Sequence, residues 1–287
     1  MPVTWRFMNA KDDHKRPNDH SHFSPIIETM KLFKFLLFTS LIIISFTACE
    51  DDEDACLTND TIDELTFTMQ PVFNGEPLQM RKIYTYDERN GSRIQFDKIE
   101  FFISDMALLN EDCRHVIKDV HSFNYDDYFS VPANVGEGLS FSVQDVPSGT
   151  QTFTFGFGVS SNLNSTTPSD YSVDHPLGDG SDYWIPWESY IFSKHEGKYY
   201  SAGNADTVNF IFHTGANDCY GEISSAVDLS DTEENILVEI DFNEIFRQDD
   251  GQLFHIPEEP VLHRLDQQEL VNFFCANFVS SSSIVQQ

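Results

Sequence analysis

Alternation between large apolar residues and small or polar residues is the feature of this sequence that most restricts its fold. Phe153, Phe155 and Phe157 are separated from one another by Thr154 and Gly156. A period of two is that of a β-strand with one face buried, because successive side chains of a strand point to opposite faces of the sheet. The same alternation predicts strands over residues 65–69, 139–143, 208–212 and 236–242. The chain is therefore predicted to be rich in strands that are half buried against a common core.

Turn sequences separate the predicted strands, and one segment near the C-terminus has the pattern of a helix. The predicted turns are Asn90-Gly91, Pro147-Ser148-Gly149 and Asp250-Gly251. Asp266 followed by Glu269 forms an Asp-type capping box, which predicts the start of a helix. The apolar residues that would share one face of this helix are Leu270, Phe273, Phe274 and Phe278.

The predicted fold class is all-β. Residues 61–279 contain no repeat, low-complexity linker or change of composition, which favours one domain. The predicted architecture is an antiparallel β-sandwich, or a related antiparallel barrel, with a short C-terminal helix. Residues 280–287 begin with four serines and are predicted to be a frayed tail.

The charge of the chain excludes one large class of partners. There are 47 acidic residues against 17 basic ones, so the formal net charge is −30 at pH 7. A charge of this size repels a phosphate backbone and argues against nucleic-acid binding. The same charge attracts cations to the surface without selecting among them.

The segment that begins at Met30 has the pattern of an export signal. A short basic region leads into an apolar run over residues 35–46 and then into Thr47-Ala48-Cys49, which is the layout of a secretory signal. The run is shorter than the roughly 20 apolar residues of a membrane-spanning helix. Small residues before Cys49 resemble a bacterial lipoprotein signal, which predicts residues 30–48 as the signal peptide and Cys49 as the lipidated N-terminus. The alternatives are an ordinary signal peptide or an uncleaved anchor.

The segments on either side of this signal have their own predictions. Residues 1–29 are polar and precede a Met that opens a complete signal, so they are predicted to be a spurious N-terminal extension. Residues 49–60 contain the acidic run from Glu50 to Asp54 and are predicted to be an acidic tether. Such a run resembles the surface-export signal of Bacteroidetes-type lipoproteins. The expected location is the outer membrane or cell surface, facing the periplasm or the exterior, with attachment to the membrane through the lipid.

The remaining cysteines indicate disulfides. Lipidation of Cys49 leaves Cys56, Cys113, Cys219 and Cys275. An even number of cysteines in an exported chain suggests two disulfides, and the sequence leaves three pairings open. No pair has the C-x-x-C spacing of a redox or zinc motif.

The residues with the most chemical interest follow one another between positions 175 and 215. The sequence has no G-x-S-x-G elbow, phosphate loop or H-E-x-x-H motif. His175 precedes Trp184 and Trp187, which are the only Trp residues after position 48. His213 follows Phe212, and the period of two turns its side chain away from the face of Phe212. Taken alone, the two Trp residues are typical core residues, and His213 is a polar residue at a strand end.

Several short motifs occur in a fixed order along residues 61–279. They are Val72 to Leu78, Phe96 to Asp105, Phe155 to Val159 with Asn162 and Asn164, His-Pro-Leu at 175–177, Trp-x-x-Trp at 184–187, Tyr190, Glu196-Gly197 and Phe-His-x-Gly at 212–215. This order resembles the MbnP-like copper-binding domain family of bacterial periplasmic and surface proteins. Each motif is weak by itself, but their common order behind a lipoprotein signal makes the match fairly specific.

The resemblance implies a mononuclear copper site with two His imidazoles, and it makes His175 and His213 the candidate ligands. The best-known members also carry a Trp oxidised to kynurenine by a partner di-haem peroxidase-like enzyme. Trp184 or Trp187, near the metal, is therefore the candidate for this modification. Tyr183 stands where many relatives have Met, which argues against a thioether ligand.

The other histidines are predicted to have smaller roles. His195 is close to the motifs and is a candidate third ligand or a residue that supports a ligand. The plain surface residues, in loops or at loop edges, are predicted to be His115, His121, His255 and His263.

The function predicted from the sequence is copper acquisition or handling by an exported lipoprotein that is not an enzyme. The alternative is a surface interaction protein whose Trp and Tyr side chains bind a sugar or peptide without metal. A copper oxidoreductase is a third hypothesis, although no acid or base for a substrate is evident in the sequence.

Overall fold

The period of two in the sequence is realised as strands along most of the chain. The computed structural model describes residues 61–110, 113–125, 138–204, 206–230 and 233–286, all within the unit Asp52–Gln287. Cys49, Cys56 and the segments 1–29, 30–48 and 49–60 lie outside the described residues. The predictions of a signal peptide, a lipidation site and an acidic tether therefore stay predictions.

The described residues form fourteen strands and two α-helices, together with short 3-10 turns. The strands are β1 (Thr61–Phe73), β2 (Glu76–Pro77), β3 (Ile83–Asp87), β4 (Ser92–Asn110), β5 (Cys113–Asn124), β6 (Leu139–Pro147), β7 (Gly149–Phe157), β8 (Tyr183–Trp184), β9 (Ser189–Tyr200), β10 (Thr207–Gly215), β11 (Gly221–Leu229), β12 (Glu233–Asp241), β13 (Val261–Leu262) and β14 (Ser282–Gln286). The helices are α1 (Ser161–Asn164) and α2 (Gln268–Ser280). The predicted turn at Asn90-Gly91 lies between β3 and β4, and the turn at Pro147-Ser148-Gly149 joins β6 to β7. The turn at Asp250-Gly251 lies between Arg247 and Leu253, which form an isolated antiparallel bridge.

Two sheets make up the described part of the chain. The smaller sheet has the order β14-β12-β1-β2, with β6 also pairing with β1. The larger sheet has the order β11-β7-β4-β9-β10-β13, with β3 and β5 on β4 and β8 on β9. The predicted all-β sandwich is confirmed. Two pairs, β1 with β12 and β10 with β13, are parallel, a feature that the alternation of residues cannot reveal.

Aromatic side chains fill the space between the sheets. Phe67 of the smaller sheet lies 5.0 Å from Phe153 of the larger one, measured between ring centroids. Phe242, which directly follows β12, lies 5.5 Å from Phe96 of β4. Burying a Phe side chain stabilises a fold by about 1.5–3 kcal/mol, and the offset and edge-to-face ring contacts add to this. The sequence contains 26 Phe residues, and many of them lie in this core.

Helix α2 closes the core but begins differently from the prediction. Phe278 stacks on Phe157 with centroids 3.8 Å apart, and Phe274 lies 4.9 Å from Phe212. The predicted Asp266 capping box is wrong, because no side chain caps the start of α2. A 3-10 turn leads into the helix instead, and the Gln267 side chain accepts hydrogen bonds from the backbone upstream. No helix in the described ranges is both long and apolar enough to cross a membrane.

The C-terminal residues form a strand, so the prediction of a frayed tail is wrong. β14 pairs antiparallel with β12, with Ile284 opposite Val238. Ile284 packs against the core, and the Gln286 side chain accepts a hydrogen bond from the backbone N–H of Asp228 at 2.8 Å. The run of serines conceals a short apolar sequence that completes the edge of the sheet.

One disulfide is fully placed. Cys219, in the 3-10 turn after β10, is bonded to Cys275 of α2, with their Cα atoms 5.3 Å apart. Cys113 is also disulfide-bonded. The Cys219–Cys275 bond ties α2 to the larger sheet near the end of β10.

Candidate metal centre

Strands β9 and β10 carry most of the candidate residues on one face of the larger sheet. The antiparallel register places Lys194 opposite His213 and His195 opposite Phe212. Glu196 lies two residues from Lys194, so it shares the face of His213. Phe212 and His195 point into the core and are buried. We call the opposite face, which carries His213, Glu196 and Lys194, the outer face.

His213 is held by a carboxylate. Its Nε2 lies 2.9 Å from Glu196 Oε1, and both side chains are partly exposed. The hydrogen bond from His213 lowers the pKa of Glu196. The charges of His213, Lys98 and Lys194 lower it further. An ionised carboxylate only accepts hydrogen bonds, so the neutral imidazole carries its proton on Nε2. The Nδ1 lone pair of His213 is then directed away from this bond and can bind a metal ion.

His263 is the imidazole that the structure brings next to His213. Leu262 of β13 pairs with Phe212 of β10 in a parallel ladder, so the residues that follow them lie side by side. The ring centroids of His213 and His263 are 6.1 Å apart. The ring of Trp184 lies 5.6 Å from that of His263. These three side chains form the His213–His263–Trp184 cluster.

His263 lies at a loop edge, as predicted, but it is not a plain surface residue, because its ring contacts Trp184 and His213. Its ring is partly buried, and burial together with the charges of His213 and Arg264 lowers its pKa. The sequence contained a signal for the position of His263. Two apolar residues, Val261 and Leu262, precede it, just as Ile211-Phe212 precedes His213. A two-residue apolar run is too short to be assigned as a strand from its period.

His175 has a different set of contacts. Its ring stacks on Tyr171, with centroids 4.2 Å apart and planes 8° apart. Its Nδ1 accepts a hydrogen bond from the backbone N–H of Leu177 at 3.1 Å. The neutral ring therefore carries its proton on Nε2, so it has no free lone pair for a metal. Within the described residues, no hydrogen bond or ring contact joins the two predicted ligands, His175 and His213.

The two Trp residues occupy different places beside the outer face. Trp184 belongs to β8 and contacts His263. Trp187 packs on Gly215, where an added Cβ would come within 3.0 Å of the indole ring. The indole N–H of Trp187 is buried without a hydrogen-bond partner in the described part of the chain. Tyr183 lies edge-on to Tyr190, with centroids 5.2 Å apart.

A buried group of charges next to these residues was not predicted. Lys194 is only 6% exposed, and its ammonium group contacts the carboxylates of Asp182 and Glu100. Lys98 approaches the same Glu100 oxygen at 3.1 Å. Burial and the charge of Glu100 raise the pKa of Asp182 to about 6, although its hydrogen bond with Lys194 opposes that shift. In a chain with 47 acidic residues, no spacing distinguishes these carboxylates from the others.

His195 lies in the core and not on the outer face. It is 1% exposed, and its ring lies 5.2 Å from Phe242 and 5.9 Å from Phe278. Neither ring nitrogen has a hydrogen-bond partner among the described residues. Burial, with a smaller effect from the charge of His213, lowers its pKa to about 3. This position gives no support to the hypothesis of His195 as a third ligand.

Two other histidines, His115 and His121, were predicted to lie in loops or at loop edges. That prediction is wrong, because both belong to strand β5. The ring of His121 lies 4.6 Å from both Phe123 and Phe141, and burial lowers its pKa to about 4. His255 is exposed, in agreement with its prediction.

The metal-binding capacity of the described residues is limited to small sets of ligands. In those ranges, no group of three or more His, Cys, Asp or Glu side chains is arranged to hold a metal ion. A site here would have to use two imidazoles with one further atom from an aromatic residue, a solvent molecule or a partner.

Comparisons with known proteins agree with the resemblance seen in the sequence. The MbnP family model matches residues 62–262. The structure of MbnP from Methylosinus trichosporium is similar over 65% of this chain and 78% of that chain, with 11% sequence identity and a TM-score of 0.41. No curated protein matches the chain. The family match includes Trp184 and His213 and ends one residue before His263.

Proposed function

The chain belongs to the MbnP family, and on this premise we propose that it is an exported lipoprotein that binds one copper ion through His213 and His263 beside Trp184. The family is linked to copper and is not a known enzyme family. The proposed role is therefore copper acquisition or handling. The observation that carries the proposal is the parallel register of β10 and β13, which brings two imidazoles to one place on the outer face.

The chemistry of the two side chains suits copper. Imidazole is a common copper ligand, and Cu²⁺ binds most strongly among the divalent first-row metals. Bonds from a metal to an imidazole nitrogen are about 2 Å long, so one ion shared by two rings separates their centroids by about 5 Å in a tetrahedral site and about 6 Å in a linear one. The separation of 6.1 Å between His213 and His263 is that of a nearly linear arrangement.

Glu196 would prepare His213 for the metal. Carboxylates that accept a hydrogen bond from a metal-binding His fix its tautomer and raise its basicity. The 2.9 Å contact between Glu196 and Nε2 of His213 leaves Nδ1 as the donor to copper. The negative charge of Glu196 also stabilises a cation bound nearby.

Trp184 is the better placed of the two candidates for modification to kynurenine. It contacts His263, whereas Trp187 packs on Gly215 with its N–H buried. A di-haem peroxidase-like partner remains the proposed source of this oxidation. The test is the mass of the peptide containing both residues, isolated from native protein; the unmodified mass at both positions would exclude the modification.

His175 remains an alternative second ligand. To bind copper, its ring would have to give up the hydrogen bond from Leu177 or move its proton from Nε2. Copper bound by His175 would therefore cost the hydrogen bond from the backbone N–H of Leu177. This cost favours His263.

Export and lipidation form a separate part of the proposal. It is supported by the apolar run before Cys49 and by the small residues at positions 47 and 48. Replacing Cys49 with Ala should abolish incorporation of labelled fatty acid and shift the protein from the membrane fraction to the soluble fraction. Unchanged lipid labelling in the Cys49→Ala protein would exclude lipidation at this cysteine.

The copper site is tested by titrating the protein with Cu(I) against a competing chelator. His213→Ala and His263→Ala should each lose the high-affinity site, and His175→Ala should retain it. His255→Ala is the matched control, because His255 is exposed and lies outside the cluster. If wild type binds no copper, the alternative of a sugar- or peptide-binding surface protein is favoured. If His175→Ala, and not His263→Ala, abolishes binding, the ligand pair is His175 and His213.

A further inference from the structure

The outer face contains a lysine that is buried between two carboxylates from different parts of the chain. Lys194 of β9 contacts Glu100 Oε2 of β4 at 3.4 Å and forms a closer contact with Asp182. All three residues are at most 6% exposed. Asp182 ends the 3-10 turn that directly precedes β8. The ion pair therefore joins the segment that carries Trp184 to the centre of the sheet.

Charges buried in this way have to be compensated. Removing an ion from water costs several kcal/mol, and the penalty is offset only when the geometry of the pair is good. Glu100 is already paired with Lys98, at 3.1 Å, so Asp182 is the carboxylate that completes the compensation of Lys194. Any displacement of the segment that carries Asp182 would leave Lys194 with one shared partner in a buried site.

Besides the ion pair, the segment is held by a short strand pairing and by the packing of Tyr183 and Trp187 against the core. β8 is two residues long and pairs only Tyr183 with Tyr190 and Trp184 with Ser189 within the described residues. Ile185, the next residue, is 78% exposed. A pair of strands this short is not stable without further packing.

We propose that Lys194, through its ion pair with Asp182, is the positioning residue that seats β8 on β9 and so holds the Trp184 ring against His263. Removing one partner of a buried ion pair leaves the other charge without compensation and costs stability. The role of Lys194 in positioning is therefore measured by the exposure of Trp184 in the folded protein, and not by the loss of stability. The copper part of this inference rests on the proposed function, whereas the positioning of Trp184 does not.

A matched control lies on the same strand and the same face. Lys198 pairs with Asp97 at 3.4 Å, but these side chains are 41% and 35% exposed. An exposed pair contributes little to stability or position. Lys198→Met thus removes one lysine and one ion pair from β9 without disturbing the buried group.

The experiment follows Trp184 fluorescence in the full chain with Trp5 and Trp187 replaced by Phe. In the absence of copper, Lys194→Met should raise the acrylamide quenching constant toward that of free tryptophan, and Lys198→Met should leave it unchanged. Lys194→Arg keeps the charge and should restore most of the protection. If circular dichroism shows that Lys194→Met does not fold, the quenching constant of Asp182→Asn tests the inference. This variant removes the charge of the partner with little change in size.

The copper titration gives a second readout, made on proteins that retain both Trp residues. Lys194→Met should weaken copper binding about tenfold, the size seen when residues that support ligands are changed. Equal quenching constants for wild type, Lys194→Met and Asp182→Asn would overturn the inference, whatever the copper result. If wild type binds no copper, the proposed function fails, and the quenching comparison still decides the role of Lys194.

Discussion

The two faces of β9 and β10 place the same side chain in opposite environments. His195 points into the core, where aromatic rings surround it and its nitrogens have no hydrogen-bond partner among the described residues. His213, on the neighbouring strand, points to the outer face and donates to Glu196 at 2.9 Å. The two residues are close enough for the charge of His213 to affect the pKa of His195. Only the pleat of the sheet separates them.

This difference shows what makes a histidine available for chemistry. The core imidazole is kept neutral by burial, which lowers its pKa to about 3, and its nitrogens cannot reach solvent or ions. The outer imidazole has a carboxylate that fixes its tautomer and a second imidazole 6.1 Å away. We therefore expect a division of roles, in which the inner face supplies stability and the outer face carries the proposed copper site.

The largest expected effect is on the stability supplied by the inner face. Phe212→Ala removes a fully buried ring that contacts Phe274 of α2. Truncation of a core Phe costs about 3–5 kcal/mol in the free energy of unfolding. His213→Ala, one residue away, should cost much less, because His213 is partly exposed. Urea denaturation measures both; similar losses for the two variants would break the division.

Acid should destabilise the protein through His195. Its folded-state pKa of about 3 lies below the ordinary value of 6.5 for a histidine, so between these values the unfolded chain binds the extra proton. Stability from this residue is complete above pH 6.5 and is lost as the pH falls toward 3, by roughly 3 kcal/mol at pH 4.5. Asp182 acts in the opposite direction, because its raised pKa favours the folded state as it protonates below about pH 6.

The contribution of His195 can be separated from that of other groups by a variant. His195→Leu should lose less stability than wild type when urea unfolding is compared at pH 6.5 and pH 4.5. Asp182 and His121 titrate in both proteins, so their effects cancel in the difference. Equal losses in the two proteins would show that His195 is not the source of the acid sensitivity.

The smallest expected effect concerns the carboxylate of the outer face. Glu196→Gln keeps the size of the side chain but removes the charge that fixes the tautomer of His213. Copper affinity should fall by about 10–100-fold, and unfolding should change little because Glu196 is partly exposed. Competitive copper titration and denaturation of the same sample measure the two effects. Unchanged copper affinity would remove Glu196 from the site.

The fold class was predictable, because burial falls on every second residue of strands such as β10. The central strands β4 and β9 are buried at nearly every residue and do not show this alternation. Phe153, Phe155 and Phe157 alternate in the sequence, and all three are buried in β7. The alternation predicted β1, β6, β7, β10 and β12 and did not predict the other strands. Among those, β13 has only two residues and β14 follows a run of serines. Asp266 and Glu269 have the spacing of a capping box, but neither caps α2. The side chain of Gln267 accepts hydrogen bonds from the upstream backbone instead.

The candidate site was predictable only in part. Trp184 and His213 stand in motifs, whereas His263 reaches them through a parallel pairing that no local pattern reveals. Lys194 and Asp182 are twelve residues apart and meet because β8 folds back on β9. In a strongly acidic chain, their pairing has no sequence signal. Such contacts between distant residues require a structure.

The most direct test of the account is the position of the metal in crystals of the copper-loaded protein. An anomalous difference map at the copper absorption edge should show one peak within bonding distance of both His213 and His263, beside Trp184. A peak bound to His175 without His263, or a peak away from the outer face, would contradict the account.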